Sequence, residues 1–238
     1  MAVIWHDVEC GGYEADLPLW SGLAAVADGR VLDLGCGTGR VARHLARQGH
    51  EVVGLDRDPQ LIDELNARAT DLSCRGEVGD ARDFSLARGD FGLALAPMQL
   101  FQLFTGSEER VSCLRSVAEH LQPGGIAAIA IAEGVLGGFN REDEAKPDSL
   151  EIDGRLYESL PMEMAVDRER IVIRRLRKVS SSAEELNRND NQIELRQLSV
   201  ELLEREAIAA NLVTIDRRTI APTFDHVGST VVLLERHR

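Results

Sequence analysis

The chain has 238 residues, of which 27 are Lys or Arg and 40 are Asp or Glu, for a net charge of −13. Its length suits one large domain, and its 44% hydrophobic content is that of an ordinary globular protein. The acidic balance disfavours nucleic acid as a partner, because phosphate binding rests on clustered Lys and Arg. No apolar run reaches the roughly 20 residues of a membrane span, so no membrane partner is expected.

Met1-Ala2-Val3-Ile4-Trp5-His6-Asp7 has neither a basic region nor an apolar run, so no secretory signal is expected. Cys10, Cys36, Cys74 and Cys113 are scattered and form no C-x-x-C. They read as free thiols in a reducing cytoplasm, with no metal-ligand spacing. A helix is expected from about Asp16, with Pro18 in its first turn, where Pro is tolerated. Val31–Leu34 reads as a buried parallel strand, Gly35-Cys36-Gly37-Thr38-Gly39 as a tight turn, and Gly39–Gln48 as a helix. Strand Glu51–Asp56 follows, then a helix from Pro59 to about Ala69 with Asp58 as its cap. A short strand lies near Glu77–Val78, before Asp80. The next strand, Phe91–Ala96, is broken by Pro97. A helix from about Glu108 to Leu121 stops at Pro123-Gly124-Gly125, and strand Ile126–Ala132 is apolar throughout.

After Glu133 the period changes from helical to alternating. Gly134, Gly137 and Gly138 are expected to form a flexible exit. Ser149–Ile152, Arg155–Leu160, Met162–Val166, Ile171–Val179 and Gln192–Leu198 read as antiparallel strands. Their turns are Asp153-Gly154, Asp167–Arg170 and a Ser180–Asn191 loop. The basic run Arg174-Arg175 and Arg177-Lys178 reads as a solvated strand face. A helix from Ser199 to about Ala210 and strands Leu212–Ile220 and Thr230–Glu235 close the chain, with Pro222 and His226 in the last connection. The pattern is α/β: one domain over 1–238 with a mostly parallel, doubly wound sheet and an antiparallel β insertion at 134–198.

The glycine turn places backbone N–H groups and a helix N-terminus at an open sheet edge. Asp56, roughly 20 residues on, is placed to accept hydrogen bonds from ribose hydroxyls. The pair reads as a site for an adenosine-containing cofactor. Asp33 lies two residues before Gly35 and would repel a pyrophosphate, but it suits a cationic ligand. Arg40 stands where a dinucleotide fold has its third glycine.

This D-x-G-x-G-x-G run with its later acid resembles motif I and the acidic loop of class I S-adenosylmethionine (SAM)-dependent methyltransferases. The resemblance implies a seven-stranded Rossmann-like fold, SAM as cofactor and S-adenosylhomocysteine as product. It also implies that residues 1–28 form a lid and that the insertion covers an acceptor site. On the same ground, Gly35, Cys36 and Gly37 pack against the methionine and ribose parts of SAM. Asp33 anchors the amino group, Asp56 the ribose, Arg57 the adenine face, and Asp80-Ala81 the adenine edge. Ala96-Pro97-Met98-Gln99 matches motif IV in position. It lacks the (N/D)-P-P-(Y/F) sequence of enzymes that methylate the exocyclic amine of adenine. Ala96 and Met98 are expected at the cofactor, and Tyr13, Gln99, Gln102 and Tyr157 at the acceptor. Glu133 and His226 are the candidate bases, on one carboxyl edge of the sheet. The implied activity is methyl transfer to an N or O atom of a small-molecule acceptor. Two alternatives stand beside it. One is a non-catalytic protein that holds SAM or its product. The other is a nicotinamide-dependent oxidoreductase, which needs G-x-G-x-x-G; a short-chain enzyme also needs Tyr-x-x-x-Lys, which neither Tyr13 nor Tyr157 begins.

Overall fold

The computed structural model describes residues 1–87, 89–133, 139–140, 146–182, 184–223 and 226–236. Gly134, Gly137 and Gly138, expected as a flexible exit, lie outside the described residues. The chain divides into two compact units. One holds Glu14–Gly134 and Leu198–Arg238, the other Met1–Tyr13 and Val135–Gln197. The expected 1–28 segment is therefore shared between the two units.

The larger unit is built on a seven-stranded sheet. Its strands are β1 (Arg30–Leu34), β2 (Val52–Asp56), β3 (Cys74–Val78), β4 (Phe91–Ala96), β5 (Leu121–Ile131), β11 (Leu212–Ile220) and β12 (Ser229–Arg236). Their order is β11-β12-β5-β4-β1-β2-β3. The pairs among β1 to β5 are parallel, and β12 runs antiparallel to both β5 and β11. The order reverses beside β1, where open α/β sheets bind ligands at the strands' carboxyl ends. All residues of β1 and β4 are buried, as strands covered on both faces should be; β4 is apolar throughout, whereas β1 buries Arg30 and Asp33 among its apolar residues.

The helices of this unit are α2 (Leu17–Val26), α3 (Arg40–Arg47), α4 (Pro59–Arg68), α5 (Leu100–Leu103), α6 (Ser107–His120) and α7 (Val200–Ile208). Asp58 caps α4 by accepting from the Gln60 N–H at 2.9 Å, with Pro59 in the first turn. Ser199 caps α7 through the Leu202 N–H at 3.2 Å. The main core joins Leu32, Leu34, Leu55, Phe91 and Ile129 to Phe101, Leu114, Val117 and Leu203 of α5, α6 and α7. By strand alternation, Asp33 faces away from Leu32 and Leu34. Residues 122–125 continue β5 rather than forming a separate turn, although Gly124 does take a positive φ of 78°. β3 starts at Cys74, three residues before its expected beginning, because Cys74 and Arg75 pair with Val52 and Val53.

The smaller unit is a five-stranded antiparallel sheet with one helix, α1 (Ala2–Cys10). Its strands are β6 (Phe139–Asn140), β7 (Asp148–Ile152), β8 (Arg155–Val166), β9 (Arg170–Ser181) and β10 (Glu184–Arg196). Asp153 and Gly154 both take positive φ, 51° and 71°, as a two-residue type I′ hairpin requires. The expected break at Pro161 is only a bulge within β8. The expected Ser180–Asn191 loop is strand, since Glu184 to Asn191 pair with β9. Ladder pairing overrode the low strand propensity of Asn and Asp there. Trp5 and Val8 of α1 pack on Tyr157 and Val179. Glu9 accepts from the Arg177 guanidinium at 2.7 Å and from Ser159 Oγ at 2.7 Å. Burial alone would raise the Glu9 pKa, but these bonds outweigh it and hold the carboxyl low.

One internal ion pair ties two helices of the larger unit. Arg110 on α6 meets Glu206 on α7 through two bonds of 2.7 Å, and both side chains are buried. Removing one partner strands the other charge in low dielectric. Glu206→Leu should cost about 3–5 kcal/mol of unfolding free energy. Chemical denaturation checks this, and a variant within about 1 kcal/mol of wild type, the typical scale of an exposed pair, would contradict it.

Candidate functional site

The site lies at the carboxyl ends of β1 and β2. Gly35, Gly37 and Gly39 have φ of 65°, 55° and 82°, a conformation that side chains resist. The loop's N–H groups do not point into open space, as the sequence suggests. Gly35 and Cys36 N–H donate to the Leu55 carbonyl at 2.8 and 3.1 Å. Gly37 N–H donates to Asp56 Oδ2 at 3.0 Å, and Gly39 N–H to the Cys36 carbonyl at 2.9 Å. At these four positions the loop is no cradle for an anion, since its donors already have partners. A pyrophosphate would gain little here, which removes the main support for the oxidoreductase reading.

Asp33 supplies the opposite feature. Its side chain is 1% exposed, and its Oδ1 has no hydrogen-bond partner. Burial raises its pKa to about 7, although the Arg40 charge and the Ala42 N–H pull the other way. An orphaned buried carboxyl oxygen, beside a loop whose donors are internally satisfied, fits a ligand ammonium. The residues present therefore fit the amino acid end of SAM.

Asp56 braces the loop as well as ending β2. Its Oδ1 accepts from the Asp58 N–H and its Oδ2 from the Gly37 N–H, both at 3.0 Å. Each carboxylate oxygen keeps a second acceptor position, so ribose hydroxyls can still be bound. Asp80 is held by Arg82, which also reaches Glu109 at 2.9 Å. The Arg82 side chain drives the Asp80 pKa down to about 2 despite some desolvation. Glu109 in turn accepts from the Thr105 N–H and hydroxyl. Arg57 is exposed, and its charge acts on Asp80; Ala81 packs against the main core.

The segment after β4 is strained and anchored. Ala96 is buried, and Met98 takes a φ of 54°, uncommon for a residue with a side chain. Leu100 covers Gly35, where an added Cβ would lie 3.1 Å from Leu100 Cδ1. Gln99 and Gln102 do not share one role. Gln102 is fully buried and clamps the Ala132 backbone, accepting its N–H at 2.7 Å and donating to its carbonyl at 3.2 Å. Gln99 donates to Ser229 Oγ at 3.4 Å. Glu133 Oε1 accepts from the Val200 N–H at 2.8 Å, at the start of α7. His226 is half-buried between β11 and β12, with its N–H donating to Thr223 Oγ1 at 3.1 Å. Tyr13 and Tyr157 belong to the smaller unit, where both are buried and Tyr157 packs edge-on against Trp5 at 5.7 Å.

Two features escape the sequence reading. Asp16, 1% exposed, holds Arg40 through bonds of 2.6 and 2.7 Å. Gly54, inside β2, lies under the loop: an added Cβ would sit 2.7 Å from Cys36 Sγ and 2.9 Å from Leu65 Cδ2. A glycine inside an apolar strand is the one local signal of such an approach. Among the described residues no group of three metal-binding side chains converges, and no helix is long and apolar enough to cross a membrane.

Gly54→Ala should overpack this point and destabilise the chain by about 1–3 kcal/mol. Adding Cys36→Ala should recover part of that loss by removing the nearest obstacle. Thermal unfolding of the single and double variants checks it; additive losses would show that Cys36 and position 54 do not meet.

Residues 31–125 match the family model described as methyltransferase domain. The chain is 37% identical over 114 residues to a cypemycin N-terminal methyltransferase of a Streptomyces species, covering 48% of this chain and 46% of that protein. It is 29% identical over 99 residues to the dTDP-3-amino-3,4,6-trideoxy-alpha-D-glucopyranose N,N-dimethyltransferase of Streptomyces venezuelae, covering 42% and 40%. The chain thus spans less than half the length of these relatives. The SAM-bound structure of CalS10, an amino pentose methyltransferase from Micromonospora echinaspora, superposes with a TM-score of 0.73 at 17% identity, covering 99% of this chain and 97% of that one. Strand order, glycine loop and domain match agree: residues 31–125 match a methyltransferase domain, and the chain has the Rossmann-like fold of the SAM-bound methyltransferase structure.

Proposed function

We propose that the protein transfers a methyl group from SAM to an amine nitrogen of a small-molecule acceptor. The observation that carries the cofactor assignment is Asp33 with its unpartnered oxygen, next to a loop whose N–H groups are already bonded. Such a site selects a cation. Bound there, SAM would supply a methyl group already activated by a sulfonium. The chain's own residues then have to hold the two reactants in line and exclude water.

Nitrogen is favoured over oxygen by two considerations. The relatives named above include the N-terminal and the amino-sugar N-methyltransferases. Both candidate bases already take part in local bonds, Glu133 Oε1 at the start of α7 and the His226 backbone at Thr223. An amine bound in its neutral form attacks without a base, so a site that relies mainly on positioning suits it. Ala96, which ends β4, and Met98 and Gln99 just after it are the proposed cofactor and acceptor contacts of this unit; Gln102 supports the end of β5.

Asp56→Asn should weaken S-adenosylhomocysteine binding by about 10- to 100-fold, through lost ribose bonds and a loosened loop. Calorimetric titration measures it, and an unchanged affinity would remove Asp56 from the site. The reaction itself is tested by incubating the protein with SAM and a panel of primary and secondary amines, and following the mass gain of one methyl. Hydroxyl acceptors form the contrasting panel, and turnover of hydroxyls alone would overturn the nitrogen assignment. With an amine acceptor, His226→Asn should retain kcat within a few-fold of wild type. A loss of about 10²–10⁴-fold with an altered pH profile would instead make His226 the base.

A further inference from the structure

A buried group of three charged side chains underlies the site, and only one of them was expected there. Asp16 begins α2, Arg40 begins α3, and Asp33 lies in β1. Asp16 and Asp33 are each 1% exposed, and the Arg40 side chain is 10% exposed. Two carboxyl groups therefore share one guanidinium in low dielectric. Both of its terminal nitrogens bond Asp16, at 2.6 and 2.7 Å, in the bidentate fork that guanidinium and carboxylate prefer. Asp33 Oδ1 is left without a partner.

We propose that Asp16 and Arg40 are positioning residues for Asp33: their ion pair holds the guanidinium off Asp33 Oδ1 and reserves that oxygen for the ammonium of the ligand. This rests on the SAM reading above. If the Arg40 guanidinium turned to Asp33 Oδ1, that oxygen would be filled from within and a ligand ammonium would meet an occupied site. With Arg40 on Asp16, the trio lacks one positive charge, and a monocationic group completes it.

The arrangement couples binding to a proton. The charged and titratable groups around Asp33 include Asp16 from α2, Arg40 from α3, Asp56 from β2 and the thiols of Cys36 and Cys74, with Arg43 of α3 acting on Cys74. His44, one turn beyond Arg40, bonds Ser21 and Gln48. Burial favours the neutral acid, so free Asp33 carries a proton below about pH 7. An ammonium on Oδ1 favours the carboxylate, and that proton leaves to solvent. Affinity should therefore rise with pH up to the free-state pKa and then level off.

The test uses the intact chain and S-adenosylhomocysteine, titrated by calorimetry from about pH 5 to about pH 8 in buffers of differing ionisation enthalpy. The wild type should lose roughly tenfold in affinity per pH unit below about 7, releasing about one proton on binding there and none at the alkaline end. Asp16→Asn frees the guanidinium to pair with Asp33. It should bind more weakly at pH 8, by about tenfold or more, and its affinity should become nearly independent of pH. A merely structural role for Asp16 would lower affinity at all pH values and leave the wild-type slope in place; that outcome overturns the proposal. So does a wild type that binds but releases no proton at pH 6, a measurement that needs no variant to fold. Failure to bind at any pH would instead remove the SAM reading, and this inference with it. Arg40→Lys, which keeps the charge but not the fork, should fall between wild type and Asp16→Asn in slope.

Discussion

The site depends on how the end of β2 holds the loop that follows β1. The Leu55 carbonyl takes two loop N–H groups and the Asp56 carboxylate takes a third. The loop therefore has a single shape before any ligand arrives, and its positive-φ glycines are fixed rather than merely permissive. The parallel register of β1 with β2, Leu34 beside Leu55, brings these groups within reach. Gly54 lets Cys36 settle on the strand beneath. Without this close approach the loop could not meet Leu55 and Asp56 together.

Preorganisation of this kind decides what can bind. A phosphate-binding loop keeps its donors facing the ligand. Here the donors named above are turned inward, and the group left wanting a partner is an acid. The charge preference of the site thus follows from the direction of a few N–H bonds and from one buried carboxyl. The ligand's cation would meet Asp33 where water is excluded, so the attraction is weakly screened.

The remaining polar groups near the sheet's carboxyl edge are largely linked to one another. Gln102 locks the end of β5, Glu133 links that end to α7, and Arg82 ties Asp80 to Glu109 and so to Thr105. These links fix the segments that leave the sheet. The Arg110–Glu206 pair does the same deeper down, between α6 and α7. A sheet edge built this way presents its functional side chains from rigid supports, which suits a reaction governed by alignment.

Much of this was legible in the sequence because it is local. The buried strands are apolar runs of fixed length, and the helix starts carry Asp58-Pro59 and Ser199 as caps. The glycine spacing and Asp33 pointed to a cationic adenosine ligand, and Asp153-Gly154 to a tight hairpin. What the sequence could not settle depends on partners far along the chain. Glu184–Asn191 looks like a loop until β9 is placed beside it. Gln99 and Gln102 are alike in type and three apart, yet one meets Ser229 and the other the Ala132 backbone. Asp16 and Arg40 are 24 residues apart, and nothing in their spacing announces an ion pair. The sequence determined most of the strands and helices of the larger unit and which residue types stand at the sheet edge. Only the tertiary structure decided which donors and acceptors are already satisfied, because a hydrogen bond depends on the position of both partners and composition reveals neither.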